Sequence, residues 1–268
     1  MVDLVIYHGA CRDGFTAAWV ARRRYPEAKF HAGYFGKKPP PVSGQNVLIV
    51  DFSYPRSVIE EMASQAESIL LLDHHKTAQA DLGVLPYAIF DMERSGAGLA
   101  WDSLFSGEPR PWLVNYVEDR DLWRFQLPDS RAVNAYLGVL PFEFQAWTRA
   151  NELGYEKAKA LGDVVLAKLE QYVNEVSKNA RLITLDGHRV PAVNASPVDT
   201  SELLEALAVG HPFALSWSVR FDGVFLYSLR SAADGLDVSE IAKAHGGGGH
   251  AHAAGFQSIA PLAGLFGR

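Results

Sequence analysis

Three short apolar runs in the first third of the chain constrain its fold more than any other feature: LVIY (4–7), VLIV (47–50) and ILLL (69–72). Each is apolar at every position, so a strand made from it must be buried on both faces, as in a parallel sheet. Helical patterns lie between the runs. GFTAAWVARRRYP (14–26) has apolar residues at helical spacing and stops at Pro26. YPRSVIEEMASQAES (54–68) has a proline near its start and a stripe of Val58, Ile59, Met62 and Ala66. Strand and helix in alternation predict a doubly wound α/β domain.

The residues just past each run point to chemistry. The first run leads into His8, the second into Asp51, and the third into Asp73-His74-His75. Ligands of open parallel sheets bind beyond the carboxyl ends of the strands. Three strands would thus deliver ionisable groups to one edge, which a chance surface turn would have to produce three times over.

Composition excludes several classes. The chain has 268 residues, 48% of them apolar, enough to bury a core in one large domain or two modest ones. Its net charge of −6 argues against a globally basic nucleic-acid binder. Cys11 is its one cysteine, so no intrachain disulfide forms. No apolar stretch approaches the ~20 residues of a membrane span. The first residues lack the basic and apolar regions of a signal peptide, and a soluble, cytoplasmic protein is expected.

Residues 94–125 read as helix and loop. ELGYEKAKALGDVVLAKLEQYVNEVSKNAR (152–181) reads as a long amphipathic helix whose first turns are weakened by Gly154 and Gly162. Beyond it the pattern changes to strands, with FDG between LSWSVR and VFLYSLR as a hairpin turn. The predicted organisation is a domain at 1–150, a helical connector at 151–180, and a smaller α/β domain at 181–268. The cluster Arg22-Arg23-Arg24 is expected to be a solvated helix face.

The metal-competent residues of the first part are His8, Cys11, Asp13, Asp51, Asp73, His74, His75, Asp119 and Asp121. Imidazoles and carboxylates together suit Mn²⁺, Mg²⁺, Fe²⁺ or Zn²⁺. Near the C-terminus, AHGGGGHAHAAGF contains Gly246–Gly249 before His250. Successive glycine N–H groups can form an anion-binding nest, so a phosphate- or nucleotide-binding loop is expected. Arg230 and Ser231 end the predicted strand just upstream, and an arginine suits bidentate phosphate contact. Asn194 and Ser196 are weaker candidates of the same type.

The order His8…Asp13-Gly14, Asp51, Asp73-His74-His75, Asp119 resembles the DHH phosphoesterase superfamily, and GGGGHAHAAGF resembles its associated DHHA1 domain. The resemblance spans nearly the whole chain and implies a two-domain, metal-dependent phosphoesterase. It implies two divalent ions, Mn²⁺ first among the choices. Asp51 would bridge the ions, His8 would bind the first, and Asp13, His74 and Asp119 would complete the second. Asp73 would orient a histidine from behind, and His75 would sit near the nucleophile or a substrate oxygen. Arg230, Ser231, Gly247, Gly248, Gly249 and His250 would hold the substrate. Family members usually carry an aspartate two residues before the Asp-Gly pair, where this chain has Cys11. The thiolate either replaces that ligand or is a small packed residue.

The entry motif and EDRDLW look most like the oligoribonuclease (nano-RNase) branch. The expected partner is therefore a short oligonucleotide or small nucleotide rather than a long nucleic-acid track or a membrane. A homo-oligomer is compatible with the sequence. A nucleotide 3′-phosphatase, a cyclic dinucleotide phosphodiesterase and a non-catalytic nucleotide-binding regulator are the alternatives.

Overall fold

The computed structural model describes residues 1–198, 200–232 and 234–266. The chain divides into two compact units, Met1–Leu166 and Ala167–Arg268.

The first unit runs β1 (Leu4–His8), α1 (Arg12–Arg24), β2 (Lys29–Gly33), β3 (Asn46–Val50), α2 (Arg56–Gln65), β4 (Ser68–Asp73), α3 (Lys76–Leu82), β5 (Ala88–Phe90), α4 (Gly96–Leu104), α5 (Trp112–Asp121), α6 (Ser130–Gly138), α7 (Phe144–Leu153) and the start of α8 (Tyr155–Ser177). Its sheet has the order β2-β1-β3-β4-β5, with every pairing parallel. The three apolar runs are its central strands. Alternation sends their side chains to two cores. Val5, Leu48, Val50 and Leu72 join Trp19, Leu99, Leu113 and Trp147 on one face. Leu4, Ile6, Val47, Ile49 and Leu71 join Ile59, Met62 and Leu82 on the other. The sheet is doubly wound, as predicted.

The chain leaves β1 for β2 on one side and returns as β3 on the other, so the order reverses between β1 and β3. Such a switch point opens a crevice at the carboxyl ends of the strands. His8 ends β1 there, and Asp51 comes directly after β3. The edge strands β2 (KFHAG) and β5 (AIF) lack a long apolar run and were not predicted.

The predicted long helix is interrupted. Gly154, at φ +85°, separates α7 from α8. Gly162 stays inside α8 because a Cβ there would collide with the Ala132 carbonyl, so the glycine permits close helix packing. The division between the two units falls within α8.

The second unit continues with β6 (Arg181–Leu185), β7 (His188–Asn194), α9 (Thr200–Ala208), β8 (Ala214–Val219), β9 (Phe225–Arg230), α10 (Val238–Ala244), β10 (Gly248–His250) and β11 (Ala253–Ser258). Its sheet order is β10-β11-β9-β8-β7-β6, antiparallel except between β7 and β8. The FDG turn closes the β8–β9 hairpin, with Gly223 at φ +84°. Val190, Phe213, Leu215, Leu229 and Val238 centre the core of this unit.

Candidate metal centre

The crevice of the first unit gathers imidazoles and carboxylates into two adjoining groups. One is His8, Asp51 and His75; the other is Asp13, His74 and Asp121. Asp51 reaches both: its Oδ2 lies 3.5 Å from His8 Nδ1, and its Oδ1 lies 3.0 Å from His74 Nε2. His74 Nε2 is also 3.5 Å from an oxygen of Asp13 and 3.5 Å from one of Asp121.

Several polar atoms of this cluster are buried without a hydrogen bond. Asp13, Asp51, Asp73 and His74 are each 3% exposed or less. Yet both Asp51 oxygens, His8 Nδ1 and Asp121 Oδ2 lack an aligned hydrogen-bond partner. Buried acceptors are costly unless something satisfies them, and carboxylates with imidazoles form the donor set of a divalent cation. The residues present therefore fit a metal centre.

The electrostatics agree. Burial pushes the Asp13 carboxyl well above its ordinary value, and the charges of Asp51 and Asp121 push it further. Burial likewise raises Asp121. Burial also opposes the charge on Asp51, but the contacts with His74 and His8 outweigh it and hold that carboxyl well below the usual range. Burial opposes the imidazolium of His74, yet Asp51, Asp121 and Asp13 push its pKa well up. The pocket calls for positive charge, and the histidines supply it when nothing else does.

The backbone sets these side chains in place. Asp51 has φ +54°, a left-handed conformation that costs a non-glycine residue strain and turns the chain sharply out of β3. Its Cβ lies against Gly96, where any Cβ would collide with it. Asp13 sits in the first turn of α1 and accepts from the Gly96 N–H at 2.6 Å and the Ala97 N–H at 3.0 Å. The N-terminus of α4 thus grips Asp13 through the helix dipole and its free amides. Ser95 caps α4 by accepting from the Gly98 N–H at 3.2 Å. The Ser95 N–H donates to Glu118 at 3.1 Å, and Arg110 holds Glu118 at 2.8 Å while also pairing with Asp102. Sequence reasoning missed this brace. Its signal was SGAG (95–98), a cap residue ahead of two glycines at a helix start.

Asp73 lies behind His75. One of its oxygens accepts from the His74 N–H at 2.8 Å and lies 2.6 Å from His75 Nδ1. With Nδ1 carrying the proton toward Asp73, the neutral ring offers the lone pair of Nε2. Asp73 also raises the His75 pKa against the opposing effect of burial.

Two expectations about the first unit change. Asp119 does not join the cluster; its carboxylate accepts from the N–H groups of Gln126 at 2.9 Å and Leu127 at 3.2 Å, closing the turn after α5. Asp121, left out of the ligand set that the resemblance implies, stands beside His74 instead. Residues two apart on a helix point about 200° apart, so only one of these acids can face the crevice. Cys11 precedes α1 but belongs to neither metal-competent group. Burial raises its thiol pKa well above the ordinary value, and Asp51, Asp121 and Asp13 raise it further, which favours the thiol over the thiolate.

In the second unit the glycine run is not a loop. Gly246, at φ +78°, ends α10; its N–H donates to the Lys243 carbonyl, and the Gly247 N–H donates to Ala242. That pair of bonds is a Schellman stop. It consumes the Gly247 amide expected to bind an anion. Gly248, Gly249 and His250 form the edge strand β10. Ser231 is committed as well: its hydroxyl donates to the Leu236 carbonyl at 2.7 Å and lies 2.9 Å from His252 Nδ1, which must then be the donor to it. Arg230, at the end of β9, donates to Ser201 Oγ at 2.9 Å and to the Leu229 carbonyl at 2.8 Å. In the first unit, Arg22 lies over Phe144 and Arg23 over Trp19, as exposed ends of α1.

No family model matches the chain. It is 30% identical over 286 residues to the uncharacterized protein R106 of Acanthamoeba polyphaga mimivirus, covering 95% of this chain and 67% of that protein. It is 26% identical over 218 residues to the oligoribonuclease NrnB of Bacillus subtilis, covering 74% of this chain and 54% of that protein. The chain thus spans about two thirds and about half of these two relatives. Its fold overlaps that of a pGpG-specific phosphodiesterase from Vibrio cholerae at a TM-score of 0.54, with 14% identity over 96% of this chain and 93% of that one. It also overlaps an exopolyphosphatase-related protein from Bacteroides fragilis at 0.56, with 11% identity over 97% and 88%. The chain belongs to the DHH/DHHA1 phosphoesterase superfamily. Among the described residues, no helix is long and apolar enough to cross a membrane.

Proposed function

We propose that this protein is a metal-dependent phosphoesterase that hydrolyses the phosphodiester bonds of short oligoribonucleotides or related small nucleotides. The observation that carries the reading is Asp51, a buried carboxylate whose two oxygens reach into two different ligand groups. His8 and His75 would hold one ion with Asp51, and Asp13, His74 and Asp121 the other. Two such cations, Mn²⁺ first among the choices, would supply a hydroxide nucleophile at neutral pH and neutralise charge building on the phosphoryl oxygens. Asp73 keeps the His75 ring in one tautomer. The amides of Gly96 and Ala97 hold the Asp13 carboxyl in place. Arg230, Gly248, Gly249 and His250 are the candidates for holding the substrate's phosphate or terminal nucleotide, with Ser231 and Gly247 shaping the backbone that carries them.

Similarity to an oligoribonuclease and fold overlap with a pGpG-specific phosphodiesterase support a substrate of very few nucleotides. So does the net charge of −6, since a long polyanion is held by many lysines and arginines. The test is a screen of short RNAs, dinucleotides and phosphorylated adenosine nucleotides with Mn²⁺, Fe²⁺, Zn²⁺ and Mg²⁺. Metal-dependent release of mononucleotides from dinucleotides is expected. Nucleotide binding without turnover under every metal would instead indicate a regulator.

A further inference from the structure

We propose that Phe35 is a stacking platform for a nucleobase of the substrate, beside the metal centre. The inference rests on the phosphoesterase reading and adds a specificity determinant to it. Single exposed apolar side chains are ordinary on protein surfaces. Phe35 is different because of where its ring lies. It is 65% exposed, yet its centroid is 5.3 Å from that of His8 and 6.4 Å from that of His75, both as edge contacts. A third contact, at 5.1 Å, is with Phe52, which is fully buried and anchors the ring. Phe35 therefore borders the candidate ligands while much of its surface remains open.

The backbone displays the ring rigidly. The Lys37 N–H donates to the Tyr34 carbonyl at 3.1 Å, and Gly36 has φ +74°. This closes a tight turn with Phe35 at its corner and a glycine where a positive φ is required. Tyr34 lies back on Gly9, where a Cβ would be 2.5 Å from Tyr34 Cζ. Three prolines, Pro39–Pro41, stiffen the next stretch of chain. Lys37 and Lys38 are exposed, and neither pairs with a carboxylate among the described residues. Aromatic rings interleaved with cations are how proteins hold single-stranded nucleotides: the ring takes the base and the cations attract the backbone. The sequence of this turn, YFGKK, has that composition beside groups suited to a phosphate.

The test compares wild type, Phe35→Ala and Phe35→Trp, all as the full chain with Mn²⁺. The substrates are a 5′-phosphorylated diadenylate and its abasic analogue, which keeps the phosphodiester and loses the bases. Phe35→Ala should raise KM for the diadenylate by about five- to a hundredfold, the range of one lost stacking contact. It should change kcat little and leave KM for the abasic analogue unchanged, and Phe35→Trp should restore the wild-type value. Calorimetric binding of AMP and ribose 5-phosphate provides a readout independent of turnover. Phe35→Ala should weaken AMP and spare ribose 5-phosphate. Equal effects on both ligands, or none on either, would overturn the platform while wild-type turnover left the phosphoesterase reading intact. If the wild type hydrolyses neither substrate, that reading fails, and the AMP comparison still decides whether Phe35 stacks a base.

Discussion

The metal-competent crevice of the first unit and the glycine segment of the second were marked by the same kind of sequence signal, but they differ in what their polar groups do. In the crevice, carboxylate and imidazole atoms are buried and left without aligned partners. In the glycine segment, the Gly246 and Gly247 amides and the Ser231 hydroxyl are already engaged in local structure. Buried polar groups that a fold leaves unsatisfied are costly and call for a ligand, whereas satisfied ones are the fold's own fabric. The contrast makes the first unit the firmer location for chemistry. In the second, attention shifts from the glycine amides to Arg230 and the edge strand β10.

Breaking the first side of this contrast should have the largest effect. Asp51→Asn should cut turnover of a dinucleotide by at least about 10²–10³-fold, since it removes charge from the centre of an electrostatically tuned site. In metal-free protein the same change should lower thermal stability, because the contacts with His74 and His8 that hold the Asp51 carboxyl ionised outweigh the opposing effect of burial. Full Mn²⁺-dependent activity in Asp51→Asn would break the comparison.

Gly96→Ala should come next. The added Cβ collides with Asp51, so turnover should fall together with a stability loss of about 1–3 kcal/mol, measured by urea unfolding. A variant of wild-type stability and activity would mean that α4 does not brace the site.

The pair Asp121→Asn and Asp119→Asn sharpens the comparison at a single helix. Asp121→Asn should weaken Mn²⁺ affinity and shrink the metal-induced rise in Tm. Asp119→Asn should keep metal affinity and lose about 1–3 kcal/mol of stability, because two backbone N–H groups lose a charged acceptor. The reverse pattern would restore Asp119 as the ligand.

On the second side, Ser231→Ala should leave KM within about twofold and cost about 1–3 kcal/mol in stability, the net worth of two hydrogen bonds. A large KM change would return Ser231 to the substrate site. The smallest effect belongs to Asp102, partly exposed beside Arg110 and Arg94. Its hydrogen bond from Arg110 holds its pKa below the ordinary 3.8. A depressed pKa contributes stability that is present above pH 3.8 and lost as pH falls through the lower folded value. Asp102→Asn should therefore destabilise by less than about 1 kcal/mol at pH 7, after screening by solvent, and by less still at pH 3.

The parts of the fold legible in the sequence were those written in side chains of strong periodicity. Apolar runs buried on both faces marked β1, β3 and β4, and the residues just past them marked the crevice. Asp121 was harder to read because EDRD offers two aspartates, and helix phase is fixed only by what α5 packs against. The grip on Asp13 by Gly96 and Ala97 is made by backbone amides, which no residue letter encodes. The glycine run was misread as a loop because glycine letters allow both an anion nest and a helix stop. The bonds from Gly246 and Gly247 back into α10 decide between them. Phe35 carries no periodic signal, and only its position beside His8 and His75 gives it meaning.

The central claim is that Asp51 joins two cation sites in the first unit. Calorimetric titration of the metal-free chain with Mn²⁺, in wild type and Asp51→Asn, tests it most directly. Two ions bound per wild-type chain, and at most one weakly bound ion in Asp51→Asn, is the predicted result. No Mn²⁺ bound by the wild type, or an identical titration by the two proteins, would contradict it.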